Sequence, residues 1–128
     1  MHLKFRQLPG TFAVCRLPPT ASIPTWAEGA SFISVTRTSE ELSIVCPANH
    51  APQGGKCESP WTCFKLEGPF AFVLTGVLAS FLDPLATAGV PIFAVSTFDT
   101  DYVLVKEELT AAALKALGDA GHEVIGQR

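Results

Sequence analysis

Phe93-Ala-Val-Ser-Thr-Phe-Asp-Thr-Asp-Tyr-Val-Leu-Val105 alternates apolar and polar residues on both sides of a polar turn, a pattern typical of a β-hairpin. Sixty residues earlier the chain reads Ile33-Ser-Val-Thr-Arg-Thr-Ser-Glu-Glu-Leu-Ser-Ile-Val45, with apolar and turn residues in matching places. The same offset matches four further positions: Pro9, Phe12, Pro24 and Gly29 with Pro69, Phe72, Pro84 and Gly89. Because the pattern recurs over about forty positions, we interpret the chain as two copies of one supersecondary unit. A seam between such units would suit a small ligand.

The two turns differ in chemistry. In the second copy, Ser96-Thr-Phe-Asp-Thr-Asp101 combines small hydroxyls and two carboxylates around one aromatic ring. The first copy has Thr36-Arg-Thr-Ser-Glu-Glu41 in the same place. This difference indicates that the second copy binds a ligand and that the first supports it.

The composition favours a self-associating globular protein. A chain of 128 residues can bury its own core as one compact domain or two very small ones. Apolar residues make up 48% of the chain and charged residues only 16%, a balance that favours burial of apolar surface against another subunit. We therefore expect a homodimer or a larger assembly.

The charge and hydropathy argue against nucleic acid and membrane partners. The net charge is −3, and the nine lysines and arginines are scattered rather than clustered. No apolar run approaches the roughly 20 residues that span a bilayer. Residues 1–6 lack the apolar core and cleavage site of a signal peptide. We expect a cytoplasmic protein.

The cysteines raise the question of disulfides and of metal. Cys15 lies in an apolar strand pattern and nothing in the sequence directs export, so we expect reduced thiols. Cys46, His50, Cys57 and Cys63 have the spacing Cys-x3-His-x6-Cys-x5-Cys, which supplies enough ligands for a structural zinc ion. Paired Cys-x2-Cys spacing is absent, so two strand-end cysteines beside a loop are the favoured interpretation. We expect no metal and no cofactor.

An enzyme with a thiol or hydroxyl nucleophile is the less favoured class. Such an enzyme needs a cysteine or serine beside an oriented histidine. His2, His50 and His122 lie at the N-terminus, in a loop and after the last predicted helix, so none is close in sequence to a strand-end nucleophile. We expect no catalytic activity.

The first copy is predicted to be mainly strands. These are expected over residues 4–8, 11–17, 32–38 and 42–46. A short helix is expected after the second strand, with Ser22 as cap, Pro24 in the first turn, Trp26 on the buried side and Gly29 at the end. Residues 47–60, with Pro52 and Gly54-Gly55, are predicted to form a linker.

The second copy repeats the pattern more regularly. Strands are predicted over residues 63–67, 71–74, 92–96, 102–106 and 123–125, and helices over residues 77–88 and 109–120. Asp83-Pro84 predicts that the first of these helices is kinked or restarted there. The order βαββαβ predicts an α+β, ferredoxin-like unit with helices on one face of an antiparallel sheet. The predicted units are residues 1–60, which lack a last helix, and residues 61–128.

Several segments resemble a known family. Leu74-Thr-Gly-Val-Leu-Ala-Ser80, Pro84-Leu-Ala86 and Gly89-Val-Pro-Ile-Phe-Ala-Val-Ser-Thr-Phe-Asp-Thr-Asp-Tyr-Val-Leu-Val-Lys106 resemble tandem ACT-domain proteins related to the cytosolic arginine sensors of the CASTOR type. In the first half, Phe32-Ile-Ser-Val-Thr-Arg-Thr38 and Glu41-Leu-Ser-Ile-Val-Cys-Pro47 agree with this. The resemblance runs from about residue 12 to residue 108. It implies a regulatory amino-acid-binding protein without catalysis, whose ligand lies between ACT units.

The resemblance also implies which residues contact the ligand. They form a strand-to-helix turn and a polar turn: Leu74, Thr75, Gly76 and Val77, with Ser96, Thr97, Phe98 and Asp101. The arginine sensor has an acidic residue where this chain has Leu74. A preference for a guanidinium side chain is therefore not implied.

These residue types suit a zwitterion. Free N–H groups at the helix start beside Gly76 attract a carboxylate, and glycine allows close approach. Asp101, with Asp99 in reserve, can bind the ammonium group, while Thr97 adds a hydroxyl and Phe98 a wall. The alternative is structural, since an Asp-x-Asp motif often builds a turn and Thr75-Gly76 can simply begin a helix.

Two functions remain open from the sequence. In the first, a bound amino acid stabilises one packing of the units or subunits, and a protein partner responds to the change. In the second, the protein binds no ligand and is an assembly module for a partner enzyme or transporter.

Overall fold

The computed structural model describes residues 1–68, 70 and 75–126, and these form two compact units. Unit 1 consists of Met1–Pro9 and Thr62–Arg128, and unit 2 of Gly10–Trp61. These units differ from the predicted 1–60 and 61–128 mainly in the first nine residues. Those residues belong with the C-terminal half because their strand pairs there.

The elements follow one another in a simple order. Within the described residues the strands are β1 Lys4–Gln7, β2 Phe12–Leu17, β3 Ser34–Arg37, β4 Leu42–Pro47, β5 Cys57–Leu66, β6 Phe93–Ser96, β7 Asp101–Lys106 and β8 Glu123–Val124. The α-helices are α1 Val77–Thr87 and α2 Thr110–Asp119, and 3₁₀ helices cover Thr25–Ala27, Ala48–His50 and Glu107–Leu109. The predicted strand over residues 71–74 falls outside the described residues.

Unit 2 is an antiparallel arrangement in the order β3, β4, β2 and the first half of β5. Its core contains Ala27, Leu42, Ile44 and Cys46, with Trp26 packed against it. The predicted helix is a single 3₁₀ turn, which begins after Pro24 without a side-chain cap, so the assignment of Ser22 as cap is wrong.

The predicted linker over residues 47–60 is wrong at both ends. A 3₁₀ helix covers Ala48–His50, and β5 already begins at Cys57. The cause is long-range pairing, because Cys57 lies opposite Cys15 on β2. A loop prediction from local composition cannot detect a strand partner that is distant in sequence.

The cysteines also differ from the prediction. Cys15 and Cys57 form a disulfide bond, so the expectation of four reduced thiols is wrong for this pair. Cys46 and Cys63 are free and buried, and burial raises the pKa of both thiols, that of Cys63 to about 12. Among the described residues, no three His, Cys, Asp or Glu side chains are grouped to hold a metal ion.

Unit 1 has the predicted α+β, ferredoxin-like order, here β5-α1-β6-β7-α2-β8. One feature was not predicted, since β1 lies between β5 and β8. Phe5 is opposite Leu66 in an antiparallel pair and opposite Val124 in a parallel pair, so the sheet is mixed. Both helices contribute to the core, whose largest members are Phe5, Phe64, Phe81, Leu66, Leu85 and Leu117.

Helix α1 continues through Pro84, so a restart at Asp83 is wrong. Proline has no N–H group, and the carbonyl of Ser80 therefore lacks its usual partner four residues on. His122 supplies one, because its Nε2 lies 2.8 Å from that carbonyl oxygen while its Nδ1 accepts a bond from the N–H of Leu3 at 3.0 Å. In the described part of the chain, no helix is long and apolar enough to cross a membrane.

The two hairpins match at an offset of 59 residues rather than the predicted 60. Arg37 is opposite Leu42 where β3 and β4 meet their turn, and Ser96 is opposite Asp101 in β6 and β7. The 3₁₀ helices after β4 and β7 keep this offset. The predicted offset of 60 does hold for Gly29 and Gly89, the glycines that precede the hairpins. Unit 2 has one more residue between Gly29 and β3 than unit 1 has between Gly89 and β6, which accounts for the difference.

Candidate functional site

Helix α1 begins with backbone donors that have no intrahelical partner. Gly76 is its N-cap with φ +79°, a left-handed conformation that favours glycine, and no side chain caps the helix. The first intrahelical bond runs from the N–H of Ser80 to the carbonyl of Gly76 at 2.9 Å. The N–H groups before Ser80 therefore have no intrahelical partner and lie at the positive end of the helix dipole.

The turn between β6 and β7 is built by its threonines. Thr97 donates to the carbonyl of Thr100 from its N–H at 2.8 Å and from its hydroxyl at 3.1 Å. Thr100 is buried, and its hydroxyl donates to the carbonyl of Leu66 at 2.7 Å. The carboxylate of Asp101 accepts a bond of 2.5 Å from the hydroxyl of Ser96. The hydroxyl and N–H of Thr97 thus make the bonds that close this turn, and the bond described for Asp101 is the one to Ser96 across the two strands.

These two elements line one cavity of about 330 Å³ within unit 1. Its described lining combines the start of α1 with the whole turn: Phe70, Gly76, Val77, Leu78, Ala79, Ser96, Thr97, Phe98, Asp99, Thr100 and Asp101. Six of the eight predicted contact residues are in this set. Thr75 is exposed and is not part of the lining, and Leu74 lies outside the described residues.

The cavity is acidic. Its described lining contains the carboxylates of Asp99 and Asp101 and no lysine or arginine. Phe98 is 78% exposed and forms an apolar rim. A group that is anionic at one end and cationic at the other would find N–H groups without intrahelical partners at the helix start and a carboxylate at the turn.

Asp101 is better placed in this cavity than Asp99. Asp99 also lines a neighbouring cavity of about 230 Å³ together with Lys65 and Tyr102. Burial raises the pKa of Tyr102, and the charges of Cys63, Asp99 and Glu67 raise it further. Of these two cavities, Asp101 lines the one beside α1, which supports its choice as the main acceptor.

The sequence analysis did not include Phe70, Leu78, Ala79 and Thr100 among the site residues. Leu78 and Ala79 could have been included, because they follow Gly76 in the first turn of the predicted helix. Phe70 had no such signal. It reaches the site through a long-range bond from its N–H to the carbonyl of Asp99 at 2.9 Å.

A larger cavity of about 740 Å³ lies along α1 and α2. Its lining is mainly small side chains, with the carboxylates of Asp83 and Asp119 and the ring of His122. Asp119 is paired with Lys115 at 2.8 Å, and both ring nitrogens of His122 bond to backbone groups. The smaller cavity is the better candidate for a zwitterion, because its lining combines the start of α1 with two carboxylates.

Comparison with known proteins agrees with this fold. Residues 56–119 match the family model of the ACT domain, and residues 10–54 match a separate model described as an N-terminal domain. One ACT domain is thus matched where the sequence analysis predicted two. The more specific likeness to CASTOR-type sensors stays a prediction.

Solved structures of other proteins share this fold. A protein from Agrobacterium tumefaciens is 42% identical, with 100% of this chain and 96% of that chain covered and a TM-score of 0.93. A Vibrio cholerae protein of unknown function, described as a possible transport protein, is 21% identical over 93% of this chain and 90% of its own, with a TM-score of 0.73. The ligand-free regulatory subunit of aspartate kinase from Thermus thermophilus is 12% identical over 87% and 93%, with a TM-score of 0.59. At these identities the last two show a shared fold alone.

Proposed function

Because this chain belongs to the ACT-domain family, we propose that it is a regulatory protein that binds a free amino acid or a similar small zwitterion and catalyses no reaction. The likeness to a regulatory subunit of aspartate kinase supports a regulatory role. The observation that carries the proposal is the 330 Å³ cavity, which combines a helix start with a carboxylate. Its volume is at the lower end of the roughly 300–1,000 Å³ typical of small-molecule sites.

The ligand's carboxylate is bound at the start of α1. The N–H groups of Val77, Leu78 and Ala79 have no intrahelical partner, and all three residues line the cavity. The left-handed Gly76 turns the chain into the helix at this point without a side chain in the way. The positive end of the helix dipole adds to the attraction.

The ligand's ammonium group is bound by Asp101. The bond from the hydroxyl of Ser96 holds one oxygen of this carboxylate in place. A charge-assisted hydrogen bond of this kind contributes roughly 1.5–3 kcal/mol net. Phe98, at the rim, covers the ligand from solvent.

Regulation follows from the two elements that the ligand joins. Helix α1 and the turn after β6 belong to separate elements of unit 1, and a ligand bound to both favours the arrangement in which they are close. We propose that a partner protein, or a second subunit, binds this arrangement preferentially. The cytoplasmic location and the homodimer predicted from the sequence are part of this proposal.

A thermal-shift screen of the twenty amino acids tests the proposal. An amino acid at 100 times its dissociation constant should add about 2.7 kcal/mol to the free energy of unfolding. Asp101→Asn should abolish this shift, whereas Asp119→Asn, which changes an exposed carboxylate on α2, should keep it. If no amino acid shifts the wild-type Tm, the proposal fails, and the assembly module without a ligand becomes the better hypothesis.

A further inference from the structure

The hairpin of unit 2 can be compared with the hairpin that lines the cavity of unit 1. Residues 34–50 and 93–109 each contain a four-residue strand, a four-residue turn, a six-residue strand and a 3₁₀ helix. The first threonine of each turn makes equivalent bonds. Thr38 donates to the carbonyl of Glu41 from its N–H and its hydroxyl, as Thr97 does to that of Thr100.

Arg37 and Ser96 occupy equivalent positions, at the end of β3 and of β6. The guanidinium group of Arg37 donates to the carbonyl of Pro19 and, at 2.8 Å, to that of Ala21. Both acceptors lie in the segment that follows β2. A cation from the chain itself therefore joins the hairpin of unit 2 to that segment.

Ser96 is too short to make such a connection in unit 1. Its hydroxyl bonds to Asp101, and a cavity lies between the turn and the start of α1. Phe70, from the segment that follows β5, is part of the lining. The described lining of this cavity contains the carboxylates of Asp99 and Asp101 and no lysine or arginine, and Lys65 lines the neighbouring cavity with Asp99 but not this one.

We infer that the residue at the end of this strand decides whether a hairpin accepts a ligand. Arg37 fills the position in unit 2, whereas Ser96 leaves it open in unit 1, and the ligand's cationic group takes the place that the guanidinium group has in unit 2. The inference rests on the proposed function and adds the position of the cation and the number of sites. The cationic group is an organic ammonium or guanidinium, and each chain binds one ligand.

Two substitutions test this without any ligand. Ser96→Arg should supply the missing cation, while Ser96→Met adds similar length without charge. We expect the Tm of Ser96→Arg to exceed that of Ser96→Met by roughly 2 °C at low salt, with the difference reduced in 1 M NaCl. A Tm for Ser96→Arg equal to or below that of Ser96→Met would overturn the inference.

A titration with small probes locates the cation. Agmatine should shift the backbone amide NMR signals of residues 96–101 in the wild type and leave those of Ser96→Arg unchanged, while glutarate, a dianion, should shift neither. Equal agmatine shifts in both proteins, or shifts of residues 37–42 as large as those of residues 96–101, would contradict the assignment of one site per chain.

The two tests separate this inference from the proposed function. A wild-type protein that responds to no amino acid refutes the zwitterion proposal but leaves the comparison of Ser96→Arg with Ser96→Met intact. Conversely, if an amino acid binds and Ser96→Arg responds to it as strongly as the wild type, the amino-acid proposal stands and the equivalence of the two positions is refuted.

Discussion

Ser96 and Asp101 are direct neighbours across β6 and β7, and the hydroxyl of Ser96 donates a 2.5 Å hydrogen bond to Oδ1 of Asp101. The bond fixes the orientation of the carboxylate that we propose for the ligand's ammonium group. Because an asparagine oxygen at position 101 could accept the same bond, the negative charge of this side chain can be removed while its orientation is kept.

Asp101→Asn should weaken amino-acid binding while the fold is kept. The amide oxygen can still accept the bond from Ser96, but the negative charge is lost. The loss of roughly 1.5–3 kcal/mol corresponds to about 10- to 150-fold in dissociation constant, measured by isothermal titration calorimetry with the amino acid found in the screen. The unliganded Tm should change by less than about 2 °C, and an unchanged affinity would show that another carboxylate binds the ligand.

Gly76→Ala should destabilise the protein by about 1 kcal/mol. A Cβ there would meet no atom of the described residues within 4 Å, so the cost comes from the left-handed backbone at φ +79°. Gly118→Ala is the matched control, because Gly118 is exposed in α2, also has open space around it and is not in the left-handed region. That control should stabilise the protein by roughly 0.5–1 kcal/mol in urea denaturation. Equal effects of the two substitutions would contradict the explanation.

The bond between His122 and Ser80 should contribute less to the free energy of unfolding once Pro84 is replaced. In the wild type, His122→Phe leaves the buried carbonyl of Ser80 and the N–H of Leu3 without their partner. In a Pro84→Ala background, the new N–H can bond to the carbonyl of Ser80. A double-mutant cycle should therefore give a coupling of about 1 kcal/mol, with the cost of His122→Phe lower in the second background. Additive effects would mean that the histidine does not compensate for the proline.

The thiol of Cys63 should make stability fall at high pH. Burial raises its pKa from the ordinary value for a cysteine thiol to about 12 in the folded protein. Between these values the folded state keeps a proton that the unfolded chain releases, so the free energy of unfolding decreases as pH rises, by up to about 1.4 kcal/mol per pH unit. Urea denaturation from pH 8 to 11 should show a steeper decline in the wild type than in Cys63→Ala. Parallel curves would rule out this contribution.

Local sequence patterns were sufficient for the hairpins of both units and for the two α-helices of unit 1. The alternation around residues 93–105 predicted β6 and β7, and the apolar spacing after residue 109 predicted α2. Patterns failed where the deciding partner is distant in sequence. β5 begins inside the predicted linker because it pairs with β2. The sequence comparison gave an offset of 60 residues for the hairpins instead of the observed 59, because enough apolar residues still align at the wrong offset.

The candidate site was predictable to a similar extent. The family resemblance and the chemistry of a zwitterion selected Gly76 and Asp101, and the structure places both in the lining of one cavity. Phe70 was not predictable, because its position depends on a backbone bond to Asp99. Nor did the pattern of residues 36–41 reveal that Arg37 reaches the segment after β2.

The position of β1 between β5 and β8 has a consequence for synthesis on the ribosome. β1 has neighbours on both sides that are made more than fifty residues after it, and β8 is made more than one hundred residues after it. Residues 10–61 have their strand partners among themselves and can complete their pairing first. A nascent chain therefore carries β1 with at least one unpaired edge until β8 has been made, and deletion of the first nine residues would leave unit 1 with a gap between β5 and β8.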